Sequence, residues 1–351
     1  MLDQQYEFIE LNKLNLVIST KDKKMYPLQG VTFSIPHNTK VALVGESGSG
    51  KSLTAVSIIG MLPSNAEIIE GNILMNGSNI VNLSEKEFQQ IRGKEISIIF
   101  QNPKESLNPI ISVGNQIAEV IRVHEKISRK ESINKAILSL ELLGISSPAK
   151  RFEDFPHQYS GGMAQRAALA MAMACRPALL IADEPTSGLD ATLQQQVLEL
   201  LSNQVKEQNS SLLLITHDIS VVGATCEQVS IMYGGRIMEF GDTKTILNNP
   251  INPYTIKLIE SFRRSKNRSM TSIPGSVKPL VGELKGCPFA PRCYKAEKYC
   301  NNQLPSLNFV KNMTKYLLTL TMNLSLLNSL NQWLKKYLLE NPTVIIKESN
   351  F

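Results

Sequence analysis

The stretch "GESGSGKS", Gly45 to Ser52, matches the pattern G-x-x-x-x-G-K-S/T. Residues of these types at this spacing suit an anion. A loop of small residues (Gly45, Glu46, Ser47, Gly48, Ser49, Gly50) can turn its backbone N–H groups inward around a phosphate, and a helix starting at Lys51 adds the positive end of its dipole. Lys51 would bring a full charge to the β- and γ-phosphates of a nucleotide, and the Ser52 hydroxyl would ligate Mg2+. In "LLIADEP", 179–185, apolar residues lead into Asp183 and Glu184. Acids at the end of a buried strand are costly unless something positive faces them, and a Mg2+–nucleotide complex would do so. Asp183 would hold the metal, and Glu184 would orient and polarise the attacking water. Each stretch alone has a plain alternative, a glycine-rich turn or a solvated pair of acids; their joint presence favours the nucleotide. A different chemistry is on offer in "GCPFAPRCYKAEKYC", 286–300, where Cys287, Cys293 and Cys300 are three of the five cysteines in the chain.

The elements that must position these residues can be read from hydrophobic spacing. Alternating runs in "EFIELNKLNLVI" and "LQGVTFSIP" predict antiparallel strands. "KVALVG", apolar on both faces, predicts a buried parallel strand running into the phosphate loop, with a helix "SLTAVSIIGML" after it and further strands at "GNILMNG" and "ISIIF". Residues 103–175 change to helical spacing in "SVGNQIAEVIRVHEK", "KESINKAILSLELLG" and "GMAQRAALAMAMAC", a helical insertion. Strands return at "ALLIAD" and "SLLLITHD", each followed by a helical pattern ("TLQQQVLELLSNQVKEQ", "ISVVGATCEQ"), and that alternation predicts a parallel α/β core. "VSIMYGGRIMEFG" predicts a hairpin about Gly234 and Gly235. After Phe262 come a basic linker and a stretch rich in Pro and Gly, which predicts a boundary near residue 262, between domains 1–262 and 263–351.

Composition limits the partners. The 351 residues carry a formal charge of +6 and a pI of about 8.9, mildly basic and far short of a dedicated nucleic-acid binder. No run of apolar residues is long enough to span a bilayer, and the N-terminus lacks the pattern of a signal peptide, so a cytosolic chain is expected. In a reducing compartment a cysteine cluster points to a metal or to inert thiols rather than a disulfide. Cys175 and Cys226, in apolar helical patterns, are expected in the core.

Four further segments stand in order with the two nucleotide stretches: "FQNP" (100–103), "YSGGMAQR" (159–166), "SGLD" (187–190) and "ITHD" (215–218). Together they resemble the nucleotide-binding subunit of an ABC transporter over residues 5–300. The resemblance implies an α/β P-loop NTPase (ABC ATPase) core with an antiparallel β subdomain and a helical insertion, followed by a small irregular C-terminal extension. It implies two such subunits stacked head to tail, with ATP held between the phosphate loop of one and Ser160, Gly161 and Gly162 of the other. Gln101 would contact Mg2+ and the attacking water and sense the membrane subunits. His217 would bond the γ-phosphate and link it to Glu184, Asp190 would bridge the two subunits, and Tyr26 is the nearest candidate to stack on adenine, a surface tyrosine being the plain alternative.

The segments "IRGKEISIIFQNPKESLNP", "MYGGRIMEFGDTKTILNNPINPYT" and "IPGS…GCPFAPRC" are similar to the dipeptide/oligopeptide importer branch. That implies a second, different ATP-binding subunit, two membrane permease subunits, an extracytoplasmic solute-binding protein and a peripheral place on the cytoplasmic face of the inner membrane, with no nucleic acid. Import of nickel or another small solute is the alternative, as is a subunit inactivated by an altered C-terminus. A soluble ABC ATPase acting on nucleic acid or ribosomes would usually carry two cassettes or a long coiled coil. Two residues depart from the family pattern: Asn252 stands where a His is usual, and Ala164 replaces a polar residue after "SGGM". The resemblance suggests an iron–sulfur cluster on Cys287, Cys293 and Cys300, although such a cluster normally takes four thiolates and no cysteine follows Cys300. Zinc with another ligand and a decayed metal loop remain open readings. In the tail, Leu317, Leu320, Leu324, Leu327, Leu334 and Leu338 fall near a heptad pattern, which predicts an amphipathic helix; a frameshifted end is the other reading.

Overall fold

The computed structural model describes residues 6–102, 106–262, 273–277, 281–312 and 315–321. In chain order the elements are β1 (Ile9–Ser19), β2 (Lys24–Ile35), β3 (Lys40–Val44), α1 (Lys51–Ile58), β4 (Ala66–Met75), β5 (Ser78–Asn79), α2 (Glu85–Ile91) and β6 (Ile96–Ile99). The helical insertion follows as α3 (Val113–Glu125), α4 (Arg129–Leu142), α5 (Pro148–Arg151) and α6 (Gly161–Met173). Then come β7 (Leu179–Asp183), α7 (Ala191–Glu207), β8 (Ser211–Thr216), α8 (Val222–Thr225), β9 (Gln228–Tyr233), β10 (Arg236–Asp242), α9 (Thr243–Asn248), α10 (Pro253–Phe262), β11 (Ser306–Asn312) and β12 (Lys315–Thr321).

Two sheets result. The smaller is antiparallel, in the order β2-β1-β4-β5; the larger runs β11-β12-β10-β9-β3-β8-β7-β6. The pairs from β9 through β3, β8 and β7 to β6 are parallel. Every residue of β7 and β8 is buried, as expected of strands covered on both faces. One core cluster joins the insertion to one face of this sheet through Ile117, Ile121, Leu140 and Ala167; another joins Leu14, Leu16, Val31 and Phe33 to Leu43, Ile181 and Leu213.

Three elements differ from their sequence reading. The helix expected over 52–62 ends at Ile58, before Gly60 and Pro63. The pattern "ISVVGATCEQ" is a 3-10 turn, Ile219–Val221, and the single turn α8; Cys226 is buried but lies in extended backbone beyond it. In the tail, Leu317 and Leu320 belong to β12, not to a helix. Their stretch, "KYLLTLT", also alternates, and the free edge of β10 offers N–H and C=O groups that must be paired. The β11–β12 hairpin therefore extends the main sheet, and the extension is less irregular than expected. Leu324, Leu327, Leu334 and Leu338 lie outside the described residues.

Candidate active site

Four neighbouring parallel strands each deliver a candidate residue from the C-terminal end. Val44 pairs with Thr216, Asp183 with Ile215, and Ile99 with Ala182. The phosphate loop follows Val44, His217 follows Thr216, Glu184 follows Asp183, and Gln101 lies just past Ile99. Positions far apart in sequence thus meet along one edge, where open α/β sheets form their ligand crevice.

Close packing shapes the phosphate loop. A Cβ at Gly45 would stand 2.1 Å from the Met232 carbonyl oxygen. Gly50 has φ +108°, and a Cβ there would meet Met232 Cε at 2.7 Å and the Pro27 carbonyl at 2.9 Å. From the β9–β10 turn, the Gly235 N–H donates to the Ser49 carbonyl at 2.9 Å. Lys51 is 5% exposed, and its Nζ donates to the carbonyls of Gly45 (2.8 Å) and Glu46 (3.1 Å). Burial lowers its pKa, opposed by the charges of Glu184, Asp183 and Glu46. A bound phosphate would compete for the same ammonium.

Asp183 is buried, and burial pushes its carboxyl pKa up; the Ser52 hydroxyl bond opposes this, the Glu184 charge adds to it, and Lys51 opposes it. Its Oδ1 has no hydrogen-bond partner among the described residues. An orphaned carboxylate oxygen beside a serine hydroxyl is a hard-oxygen donor set, so these residues fit Mg2+.

Glu184 links the remaining candidates. Its Oε2 accepts from Gln101 Nε2 at 3.1 Å, and its Oε1 lies 3.3 Å from His217 Nδ1. Gln101 Nε2 also donates to the Ser187 hydroxyl at 3.2 Å, a contact the sequence reading missed. Glu184 itself has φ +45°, held by its N–H bond to the Ile215 carbonyl. Non-glycine residues in this region carry strain that collects at functional sites.

The candidates of the second half-site stand apart. Ser160 is the N-cap of α6, accepting from the Met163 N–H at 3.3 Å, and a Cβ at Gly161 or Gly162 would meet nothing within 4 Å. This helix N-terminus is open to a partner on its outer side. Asp190 caps α7 by accepting from the N–H groups of Thr192 and Leu193, both at 3.0 Å. Tyr26 is half-buried on β2, next to Pro27, whose carbonyl backs Gly50.

A family model described as "ABC transporter" matches residues 28–187, and one described as "Oligopeptide/dipeptide transporter, C-terminal region" matches residues 238–300. The chain is 41% identical to the oligopeptide transport ATP-binding protein OppD of Salmonella typhimurium, over 85% of this chain and 89% of that protein. To OppD of Bacillus subtilis it is 43% identical over 85% of each, and to the dipeptide transport protein DppD of that organism 40% identical over 85% and 90%. This chain belongs to the ABC transporter ATP-binding family. Its fold resembles the ATP-binding cassette MJ0796, solved as a post-hydrolysis dimer with ADP and Pi, with TM-score 0.60, 24% identity and coverage of 67% and 98%. It also resembles cbiO1 from Clostridium perfringens, with TM-score 0.59, 26% identity and coverage of 69% and 91%.

In this ABC ATPase the extension packs against the Gly45–Ser52 loop. Phe289 is buried against Tyr233 and Tyr254, with ring centroids 5.2 Å away in each case. Arg292 Nη1 donates to both carboxylate oxygens of Glu46, at 3.0 and 2.9 Å, and to the Tyr233 hydroxyl at 3.1 Å. Arg292 carries no local signal within "GCPFAPRCYKAEKYC" and is missed from the sequence, because its partner lies 246 positions away. Asn252, the first departure, is buried and accepts from the Tyr254 N–H at 2.9 Å, a capping role asparagine fills well. Ala164, the second, is fully buried in α6, where a polar side chain would need a partner.

The three cysteines of the extension are free thiols, and burial raises the pKa of Cys287 and Cys293. Among the described residues no three of His, Cys, Asp and Glu converge as a metal site. As placed, the three thiols do not by themselves make up a complete metal site. Cys226 is buried in the core as expected, whereas Cys175 is only half-buried, in the turn just past the end of α6. No described helix is long and apolar enough to cross a membrane.

Proposed function

We propose that this ABC ATPase hydrolyses Mg-ATP at the Gly45–Ser52 loop and so powers import of dipeptides or oligopeptides through a membrane transporter. The observation that carries the reading is Glu184 bonded by Gln101 and approached to 3.3 Å by His217 at the strand ends, beside Asp183 Oδ1, which has no hydrogen-bond partner among the described residues. Glu184 would take up the developing proton of the attacking water. Gln101 and His217 hold its two oxygens and so aim it. Lys51 and the loop N–H groups would bind the β- and γ-phosphates. Ser52 and Asp183 would hold Mg2+, which supplies charge neutralisation on the phosphates.

The open N-terminus of α6 supports a second cassette as the source of the other half-site. Ser160, Gly161 and Gly162 of one subunit would cap the γ-phosphate held by its partner, with Asp190 near the junction. The partner is expected to be a different paralogue. The groove of about 880 Å3 lined by Asn108, Ile111, Gln116 and Arg122 in the insertion, close in sequence to Gln101, supports a contact with one of the two permease subunits. An extracytoplasmic binding protein would select the solute, and the chain would sit peripherally on the cytoplasmic face of the inner membrane. Tyr26 remains the proposed adenine contact. Peptide import rests on similarity to OppD and DppD; nickel or another small solute is the second reading. The proposal gives the extension's thiols no metal, since they would have to move and recruit a fourth ligand.

The test is ATP hydrolysis by the complex reconstituted with its permease and second cassette, with and without peptide-loaded binding protein. Peptide should stimulate turnover, and Glu184→Gln should lower kcat by about a thousandfold while ATP still binds. Equal turnover by Glu184→Gln would sink the mechanism; stimulation by nickel and not by peptide would move the substrate to the second reading.

A further inference from the structure

Glu46 occupies an awkward place. It is a carboxylate on the loop that is to surround a polyanion, where its charge would repel the ligand. The structure answers this with a residue from the C-terminal extension. The Arg292 side chain is 6% exposed and grips Glu46 with two bonds from one nitrogen. Its other donors are also occupied: Nε by the Pro274 carbonyl at 2.7 Å and Nη2 by the Ile273 carbonyl at 3.0 Å. The guanidinium thus ties together three segments of chain, and its own position is over-determined. Glu46 is similarly fixed through its backbone: its N–H donates to the Tyr254 hydroxyl at 3.2 Å, and its carbonyl accepts from Lys51. Arg292 immediately precedes Cys293, so the anchor of the phosphate loop lies within the cysteine loop.

We propose that Arg292 is a positioning residue of the nucleotide site, neutralising Glu46 and fixing the first turn of the phosphate loop, so that nucleotide binding and docking of the cysteine loop are coupled. The inference rests on reading Gly45–Ser52 as the nucleotide site. Coupling of this kind is reciprocal: if docking of the extension favours nucleotide, nucleotide must favour the docked extension. Reactivity of Cys293 toward a thiol reagent should therefore report nucleotide occupancy, although Cys293 itself need not touch the nucleotide.

The experiment measures equilibrium binding of a fluorescent ATP analogue with Mg2+ to the full chain. Arg292→Ala should weaken binding by about tenfold or more, within the usual range of coupling between sites. Arg292→Lys keeps the charge but loses the planar fork, and should fall between parent and alanine. Adding Glu46→Gln to Arg292→Ala removes the unpaired charge and should recover most of the lost affinity, which a purely structural role of Arg292 would not permit. In the parent, a non-hydrolysable ATP analogue should slow labelling of Cys293 several-fold. This last arm needs no substitution, so it decides the matter even where Arg292→Ala fails to fold. Binding by Arg292→Ala within twofold of the parent, no recovery by Glu46→Gln, or labelling indifferent to nucleotide each overturns the proposal. A parent that binds no nucleotide would instead overturn the reading of the loop.

Discussion

At the scale of residues, the site is organised around one carboxylate. Glu184 is gripped on one oxygen by Gln101 and approached on the other by His217, so each neighbour has a separable effect. His217→Ala leaves the phosphate loop intact and removes one of the two groups that aim Glu184. It should lower kcat about tenfold to a hundredfold with little change in KM, the split expected when a contact matters mainly in the transition state. A rise in KM with unchanged kcat would assign His217 to binding instead. Asp183→Asn removes the negative charge of the carboxylate whose Oδ1 has no hydrogen-bond partner among the described residues, and about ten times more Mg2+ should be needed for half-maximal hydrolysis. An unchanged Mg2+ requirement would show that the metal is held elsewhere.

At the scale of elements, the loop between β3 and α1 depends on the absence of side chains. Gly50→Ala would place a Cβ 2.9 Å from the Pro27 carbonyl and require φ +108° of a residue that avoids it. Strain of this kind costs roughly 1–3 kcal/mol. The variant should show a lowered urea midpoint and, because the loop backs onto β2, weaker ATP binding as well. A variant with the parent's midpoint and affinity would mean that the loop relaxes freely. The N-terminus of α6 has the same dependence on small residues: it begins at a capping serine followed by two glycines whose added Cβ would meet nothing within 4 Å.

At the scale of the whole molecule, a buried acid ties the sheet to the segment that leads into the extension. Glu239 on β10 is fully buried, and burial pushes its pKa up to about 7, against the bonds from the Ile251 and Asn252 N–H groups at 2.9 and 3.2 Å. Its ordinary value is 4.5, so between about pH 4.5 and pH 7 the folded chain holds a proton that the unfolded chain has lost. Stability from this group is fully present below pH 4.5 and is lost as pH rises through about 7, a change of roughly 3 kcal/mol at about 1.4 kcal/mol per unit. Glu239→Gln removes this titration. Its unfolding free energy should fall less than the parent's across that window, and identical slopes would rule Glu239 out as the source.

Much of this was legible in the sequence by itself. The apolar runs of β3, β7 and β8, the glycines and lysine of the phosphate loop, and the identities of Asp183, Glu184 and His217 are local signals, because a buried strand, a tight turn and a strand-end acid each need particular residue types in a row. The order of the motifs determined the family. What tertiary structure decided is everything that depends on neighbours far along the chain. "KYLLTLT" fits two periodicities, and the open edge of β10 chose the strand. The cysteine loop left a cluster, a zinc site and a decayed loop open, and among the described residues no three metal-ligating side chains converge there. What ties it to the Gly45–Ser52 loop is instead Arg292, an unremarkable arginine until the fold brings Glu46 within hydrogen-bond reach at 2.9 and 3.0 Å, since an ion pair has no spacing that a linear chain can display.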